Sequence, residues 1–132
     1  MSEYFTDISA QARLGELPEL LALATDKARQ LGMAEASLLH LQLFIEELFT
    51  NTIEHGYAGD APDMIDLHLE RHATGWQLRY RDHAPAFNPL KIGQKTALTG
   101  DVGGLGITLL RGLSRHIDYR RESDANVIHI EF

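Results

Sequence analysis

The sequence contains no cysteine. That excludes a disulfide framework and any thiolate metal site, and it makes a reducing compartment the expected setting. Long apolar runs are missing as well. Nothing approaches the roughly 20 apolar residues that a membrane-spanning helix needs. The opening Met1-Ser2-Glu3-Tyr4-Phe5-Thr6-Asp7 has neither the basic start nor the apolar stretch of a secretory signal. A cytoplasmic location without a membrane partner is therefore expected. Basic residues are in the minority, with 12 Lys and Arg against 19 Asp and Glu, for a net charge of −7. Such a chain repels phosphate backbones, so direct nucleic-acid binding is not expected. The local exception is a cluster at Arg111, Arg115, Arg120 and Arg121. It reads either as a solvated face near a helix C-terminus or as a docking patch for an acidic protein. Repeats, low-complexity tracts and linkers are also missing.

What is present is ordinary globular material. The 132 residues are 44% hydrophobic, which suits one domain over residues 1–132 with one packed core. Residues near 3–13 are weakly patterned and leave room for a first strand. Leu17-Pro18 opens a helix in which Leu20, Leu21, Ala24, Ala28 and Leu31 recur at helical spacing. A longer helix is expected from about Glu35 to about Glu54, with Leu41, Phe44, Ile45, Leu48 and Thr52 on one stripe. Two alternating segments follow. Ile65, Leu67 and Leu69 form one apolar face, and Trp76, Leu78 and Tyr80 form the next. Together they read as an antiparallel hairpin with one buried side. A closing hairpin carries Ile117 and Tyr119, then Ile128, Ile130 and Phe132. Between the hairpins lie an irregular stretch, about 82–102, and a short helix, about 105–116. The sum is an α+β, two-layer sandwich. Its sheet is expected to be mixed but mostly antiparallel, covered on one face by about three helices.

Three segments carry residues suited to chemistry. Glu47 and Asn51 are four apart, so they share a helix face beside the apolar stripe, while Glu46 points about 100° away. A carboxylate and an amide there could line a cleft, although a solvated helix face explains them as well. Gly103-Gly104-Leu105-Gly106 runs into an apolar helix. Glycines allow backbone amides to approach an anion, and a helix N-terminus favours one. A flexible hinge is the competing reading. The loop has neither the Gly-Lys-Ser/Thr of a P-loop nor the spacing of a dinucleotide fingerprint. Asp82 closes a strand before a turn. It could accept hydrogen bonds from a purine amino group, or be an ordinary turn aspartate. His68 and His72 would lie about 13 Å apart along a strand, which disfavours a shared metal.

Taken in order, the three segments resemble the nucleotide-binding boxes of the GHKL superfamily, which includes gyrase, histidine kinases and MutL. Glu47 through Tyr57 resembles the Glu-x-x-x-Asn box. Asp82 through Pro89 resembles the second box with its Phe-Asn-Pro ending. Gly103 through Arg111, followed by Ile117 to Arg121 and Asn126, resembles the third box and the closing hairpin. Within the superfamily the chain is similar to the small serine-protein kinases that serve as bacterial anti-sigma factors.

The resemblance implies a Bergerat-type ATP-binding fold that uses ATP and Mg²⁺. It implies Glu47 as general base and Asn51 as Mg²⁺ ligand. Asn51, His55, Asp82, Ala84, Phe87, Gly103, Gly104, Leu105 and Gly106 would contact the nucleotide, and residues about 91–102 would form a lid. The implied partners are a sigma factor and a STAS-type anti-anti-sigma antagonist that is phosphorylated on serine. A homodimer through the N-terminal segment is also implied. One position departs from the pattern, because the second box usually reads Asp-x-Gly and here reads Asp82-His83-Ala84. A methyl at residue 84 is tolerable if φ is negative and costly if it is positive. The alternative function is therefore a nucleotide-gated or catalytically weak interaction module of the same fold.

Overall fold

A computed structural model describes residues 4–91 and 105–132. Strand β1 (Phe5–Gln11) leads into helix α1 (Leu17–Gln30), and α2 (Glu35–Asn51) follows directly. The hairpin β2 (Met64–His72) and β3 (Gly75–Asp82) comes next, then α3 (Leu105–Leu113) and the hairpin β4 (His116–Glu122) and β5 (Ala125–Glu131). The strands form one sheet in the order β1-β2-β3-β5-β4.

Every described pairing is antiparallel, which corrects the expectation of a mixed sheet. The reason lies in which strand of the last hairpin meets β3. Had β4 docked there, its direction would have made that pair parallel. Instead β5 docks, because it carries the apolar residues. Ala125, Val127, Ile128 and Ile130 are all buried. β4 carries Arg120, Arg121 and Glu122, charges that suit a sheet edge and discourage pairing with another chain.

One face of the sheet is covered and the other is polar. Ile65, Leu67, Leu69, Leu78, Tyr80, Ile128 and Ile130 meet the apolar stripes of the helices. Those stripes are Leu20, Ala24 and Ala28 of α1, Leu41, Phe44, Ile45 and Leu48 of α2, and Ile107 and Leu110 of α3. The uncovered face follows from the two-residue period. The strand register lines up Asp7, His68, Arg79, His129 and Asp118 in one row across it. β1 was weakly patterned because Ile8 is its one buried residue.

The core centre tests this layering. Phe44 is fully buried, and its ring packs edge-on against Phe132 with centroids 4.9 Å apart. Removing that ring leaves a cavity and forfeits the contact. Phe44→Ala is expected to cost about 3–5 kcal/mol of stability, measured by urea denaturation.

α2 does not simply stop. Its last turn widens over Thr52–Gly56, where the Tyr57 N–H donates to the Thr52 carbonyl at 2.9 Å. Single turns of this wider type recur at functional sites. Here the widened turn begins at Thr52, whose hydroxyl meets Tyr80 and Asp82 of β3.

Candidate active site

Helical spacing places Glu47 and Asn51 one turn apart on α2, as the sequence suggested. The Asn51 amide nitrogen donates to Glu47 Oε2 at 2.9 Å. Asn51 is buried, Glu47 is half-buried, and Glu46 points out to solvent. The Glu47 carboxylate rests against the first turn of α3, at Gly106. A Cβ built at Gly106 would fall on the Glu47 carboxylate, so only glycine fits while Glu47 keeps this position. Burial pushes the Glu47 carboxyl above its ordinary value of 4.5. The Asn51 hydrogen bond opposes that shift, the charges of Glu46 and Glu54 add to it, and His55 offsets part of it. A cleft of about 140 Å³ opens beside the carboxylate, lined among others by Leu43, Thr50 and Leu109.

A partly desolvated carboxylate with a raised proton affinity, held by an amide and open to a cleft, can accept a proton. The neighbouring Asn51 suits a hard cation. Its nitrogen is committed to Glu47, so its oxygen is the atom it offers. Mg²⁺ takes few protein oxygens and fills its remaining positions with phosphates and water. Among the described residues no group of three His, Asp or Glu could hold a metal by itself.

Gly106→Ala should displace the Glu47 side chain without unfolding the protein. Where Glu47 serves as the proton acceptor of a reaction, a displacement of about 1 Å would cost on the order of 10²-fold in turnover. Steady-state kinetics alongside a melting curve would check this, because the loss should appear in the rate and not in the melting temperature.

Asp82 lies on the other side of α2 in a closed polar network. It is 2% exposed. Its Oδ2 accepts from the Thr52 hydroxyl at 2.8 Å. Its Oδ1 accepts from the Asn126 amide at 2.9 Å and from the Ala84 N–H at 3.1 Å. Proton bookkeeping extends the chain. Thr52 has one proton and gives it to Asp82, so the Tyr80 hydroxyl, 2.7 Å from Thr52 and 3.2 Å from the Leu48 carbonyl, shares its one proton between those two acceptors. Burial pushes the Tyr80 phenol well above its ordinary value, so that proton stays in place.

By sequence, Thr52 and Tyr80 belong only to apolar stripes and Asn126 only to the closing hairpin, and none of the three has a role at the site. A signal existed for Tyr80, which shares a strand face with Asp82 at a spacing of two. Asn126 needed the pairing of β3 with β5, which sets it opposite Asp82.

Ala84 is fully buried. Ala58 and Ser123 are the non-glycine residues with positive φ among those described, so the Ala84 backbone is one that a methyl tolerates. The space for that methyl comes from Gly56. A Cβ at Gly56 would lie 2.9 Å from the Ala84 methyl and 2.7 Å from the Phe87 ring. Ala84 and Phe87 thus pack on the widened end of α2, and His55 is exposed in the same turn. Leu105 begins α3. Gly103, Gly104 and most of the expected lid lie outside the described residues.

The basic cluster does not form one face. Arg111 donates to the Leu90 carbonyl and Arg121 to the Ala84 carbonyl, both as ties onto the 84–90 loop. Arg120 projects from the opposite side of β4 to Arg121, since successive strand residues alternate. His68 and His72 both contact Glu70, at 3.2 and 3.0 Å.

Comparison with known proteins bears on the family and the fold. The profile of the histidine kinase-like ATPase domain matches residues 10–132. Among solved structures, the chain is similar to the RsbU and RsbW domains of Rv1364c from Mycobacterium tuberculosis, with a TM-score of 0.66 at 13% identity. That match covers 96% of this chain and 31% of the other, so this chain spans about a third of the length of that solved chain. At so low an identity the likeness speaks for the fold. A comparison with curated proteins gave no match. No described helix is long and apolar enough to cross a membrane.

Proposed function

The chain belongs to the histidine kinase-like ATPase domain family, and from that premise we propose that it is an ATP-dependent serine-protein kinase acting as an anti-sigma factor. The observation that carries the proposal is the Glu47 carboxylate, held by Asn51, wedged against Gly106 and raised in proton affinity by burial.

In this reading Glu47 takes the proton of the attacking serine hydroxyl. The serine oxygen then bonds to the γ-phosphorus as the bond to the bridging oxygen breaks, and ADP leaves. Bound ATP with Mg²⁺ supplies the phosphoryl group and neutralises its charge. The chain's own residues position and stabilise, which is most of what phosphoryl transfer requires. The Asn51 oxygen would face the cation. Asp82 would accept from the adenine amino group, and the glycines leading into α3 would cradle the phosphates.

The partners in this proposal are a sigma factor, a STAS-type anti-anti-sigma antagonist and a second copy of the chain. They follow from the resemblance of the Glu47, Asp82 and Gly106 segments to the small anti-sigma kinases. The support for a non-catalytic module was Ala84. Its methyl sits opposite Gly56 on a backbone that tolerates it, so the kinase reading is preferred.

The test is transfer of labelled γ-phosphate to a purified STAS-type antagonist encoded beside this protein. Serine phosphorylation that disappears in Glu47→Ala supports the proposal. No transfer, or equal transfer by both proteins, contradicts it.

A further inference from the structure

We propose that the groove between α2 and α3 docks the phosphoacceptor segment of the protein substrate, and that it selects a serine with an aliphatic residue on one side and a basic residue on the other. The inference rests on the kinase reading above and adds substrate selection to it.

The groove starts on a side of α2 that the sheet does not cover. Leu41, Phe44, Ile45 and Leu48 point inward and are buried. Leu39 and Leu43 lie one turn apart on a different face and stay exposed, at 60% and 38%. Leu109 of α3 lines the same cleft as Leu43 and is 47% exposed. Among the described residues, three of the eight exposed large apolar side chains thus gather along one groove. Single surface leucines need no explanation, but a contiguous apolar strip marks a contact surface.

Charge indicates what covers it. Along α2 the leucines give way to carboxylates. Glu46 and Glu47 line the cleft beside Leu43, and Glu54 follows in the widened turn. The charges of Glu46 and Glu54 both reach Glu47, and His55 offsets part of that field. The ion pairs among the described residues leave all three carboxylates without a cation. An apolar strip that ends in unpaired carboxylates complements an apolar segment carrying Lys or Arg and repels an acidic one. A second copy of this chain, with its net charge of −7, is the poorer occupant.

Spacing orders the segment. The helical rise sets Leu43 about 6 Å and Leu39 about 12 Å from Glu47 along the axis. An extended chain advances about 3.3 Å per residue. With the serine hydroxyl at Glu47, the aliphatic residue falls about two to four positions from the serine. The basic residue lies on the other side, toward Glu54.

The experiment measures phosphoryl transfer to the purified STAS-type antagonist and separates KM from kcat. Leu39→Asp and Leu109→Asp alter exposed positions and should fold. Each should raise KM for the antagonist about tenfold with kcat nearly unchanged, as for loss of one anchoring side chain. Glu46→Lys should raise KM as well and abolish the increase of KM with salt that the wild type shows. Changing the basic residue beside the antagonist's serine to glutamate should restore its pairing with the Glu46→Lys protein. Should the variants fail to fold, peptides test the wild type directly. A serine peptide with leucine and lysine flanks should inhibit transfer at lower concentration than one with glutamate flanks, and equal inhibition overturns the inference. Wild-type transfer with the same KM in all three variants overturns this inference alone. So does a variant that loses self-association and keeps its KM, since the groove would then join two copies. No transfer by the wild type overturns the kinase reading and this inference with it.

Discussion

Glu47→Gln is expected to lower phosphoryl transfer by about 10²- to 10⁴-fold, the usual contribution of a positioned general base. Nucleotide affinity should change little. Glutamine keeps the length of the side chain, and its oxygen can still accept from the Asn51 amide. The direction of the stability change is opposite to that of activity. Burial raises the Glu47 carboxyl in the folded state, so the folded chain holds this proton to higher pH than the unfolded chain does. The favourable contribution is therefore complete below the unfolded value and is lost as pH rises through the raised folded value. At neutral pH the ionised carboxylate opposes folding, and glutamine removes that opposition. Melting curves at pH 7 should place Glu47→Gln at or above the wild type, with the advantage gone in acid. Activity gives the matching signature. The wild-type rate should rise with pH as Glu47 ionises, and that limb should vanish in the variant. A site that gives up stability to hold a base ready is a common compromise in enzymes.

Asp82→Ala should produce the largest structural effect of any single change near the site. It strands the buried Ala84 N–H, leaves the Thr52 hydroxyl with the Tyr80 hydroxyl alone, and leaves the Asn126 amide with only the longer contacts to the Ala84 and Pro85 carbonyls. Each unpaired buried group costs about 1–3 kcal/mol, partly relieved by relaxation. A total near 3 kcal/mol should lower the melting temperature by roughly 10 °C in a domain of this size. ATP binding should be lost as well, since the acceptor for the base is gone. Asp82→Asn separates the two effects. It keeps most of the volume and one acceptor, so the fold should suffer less while the purine preference is lost. Differential scanning calorimetry with and without Mg-ATP would read both quantities. An Asp82→Ala protein that melts with the wild type and is still stabilised by ATP would contradict this account of the network.

How much of this could be read from the sequence differs from element to element. The hairpins were legible because alternation in Ile65, Leu67, Leu69 and in Trp76, Leu78, Tyr80 is a local pattern. α2 was legible because its stripe is long. Its ending was not, since the choice between an ordinary and a widened turn depends on what packs against Thr52 and Gly56. The insertion of β5 between β3 and β4 was not foreseen either. It is decided by comparing the apolar content of two strands against a neighbour far away in sequence.

The site shows the same division. The pairing of Glu47 with Asn51 is a consequence of helical spacing, so one turn of sequence reveals it. The approach of Glu47 to Gly106 joins α2 to α3, and no periodicity reports it. Thr52 and Asn126 reach Asp82 only through sheet register and helix docking. Ala84 shows the limit most clearly. From the sequence it was a departure that weakened the nucleotide reading, and in the fold it is a methyl accommodated by the missing side chain of Gly56.

The most direct test of the central claim is titration of Mg-ATP into the wild-type protein and into Asn51→Ala, followed by calorimetry. The account predicts saturable binding by the wild type, dependent on magnesium, and loss of that magnesium dependence in the variant. No binding by the wild type at millimolar Mg-ATP would contradict it.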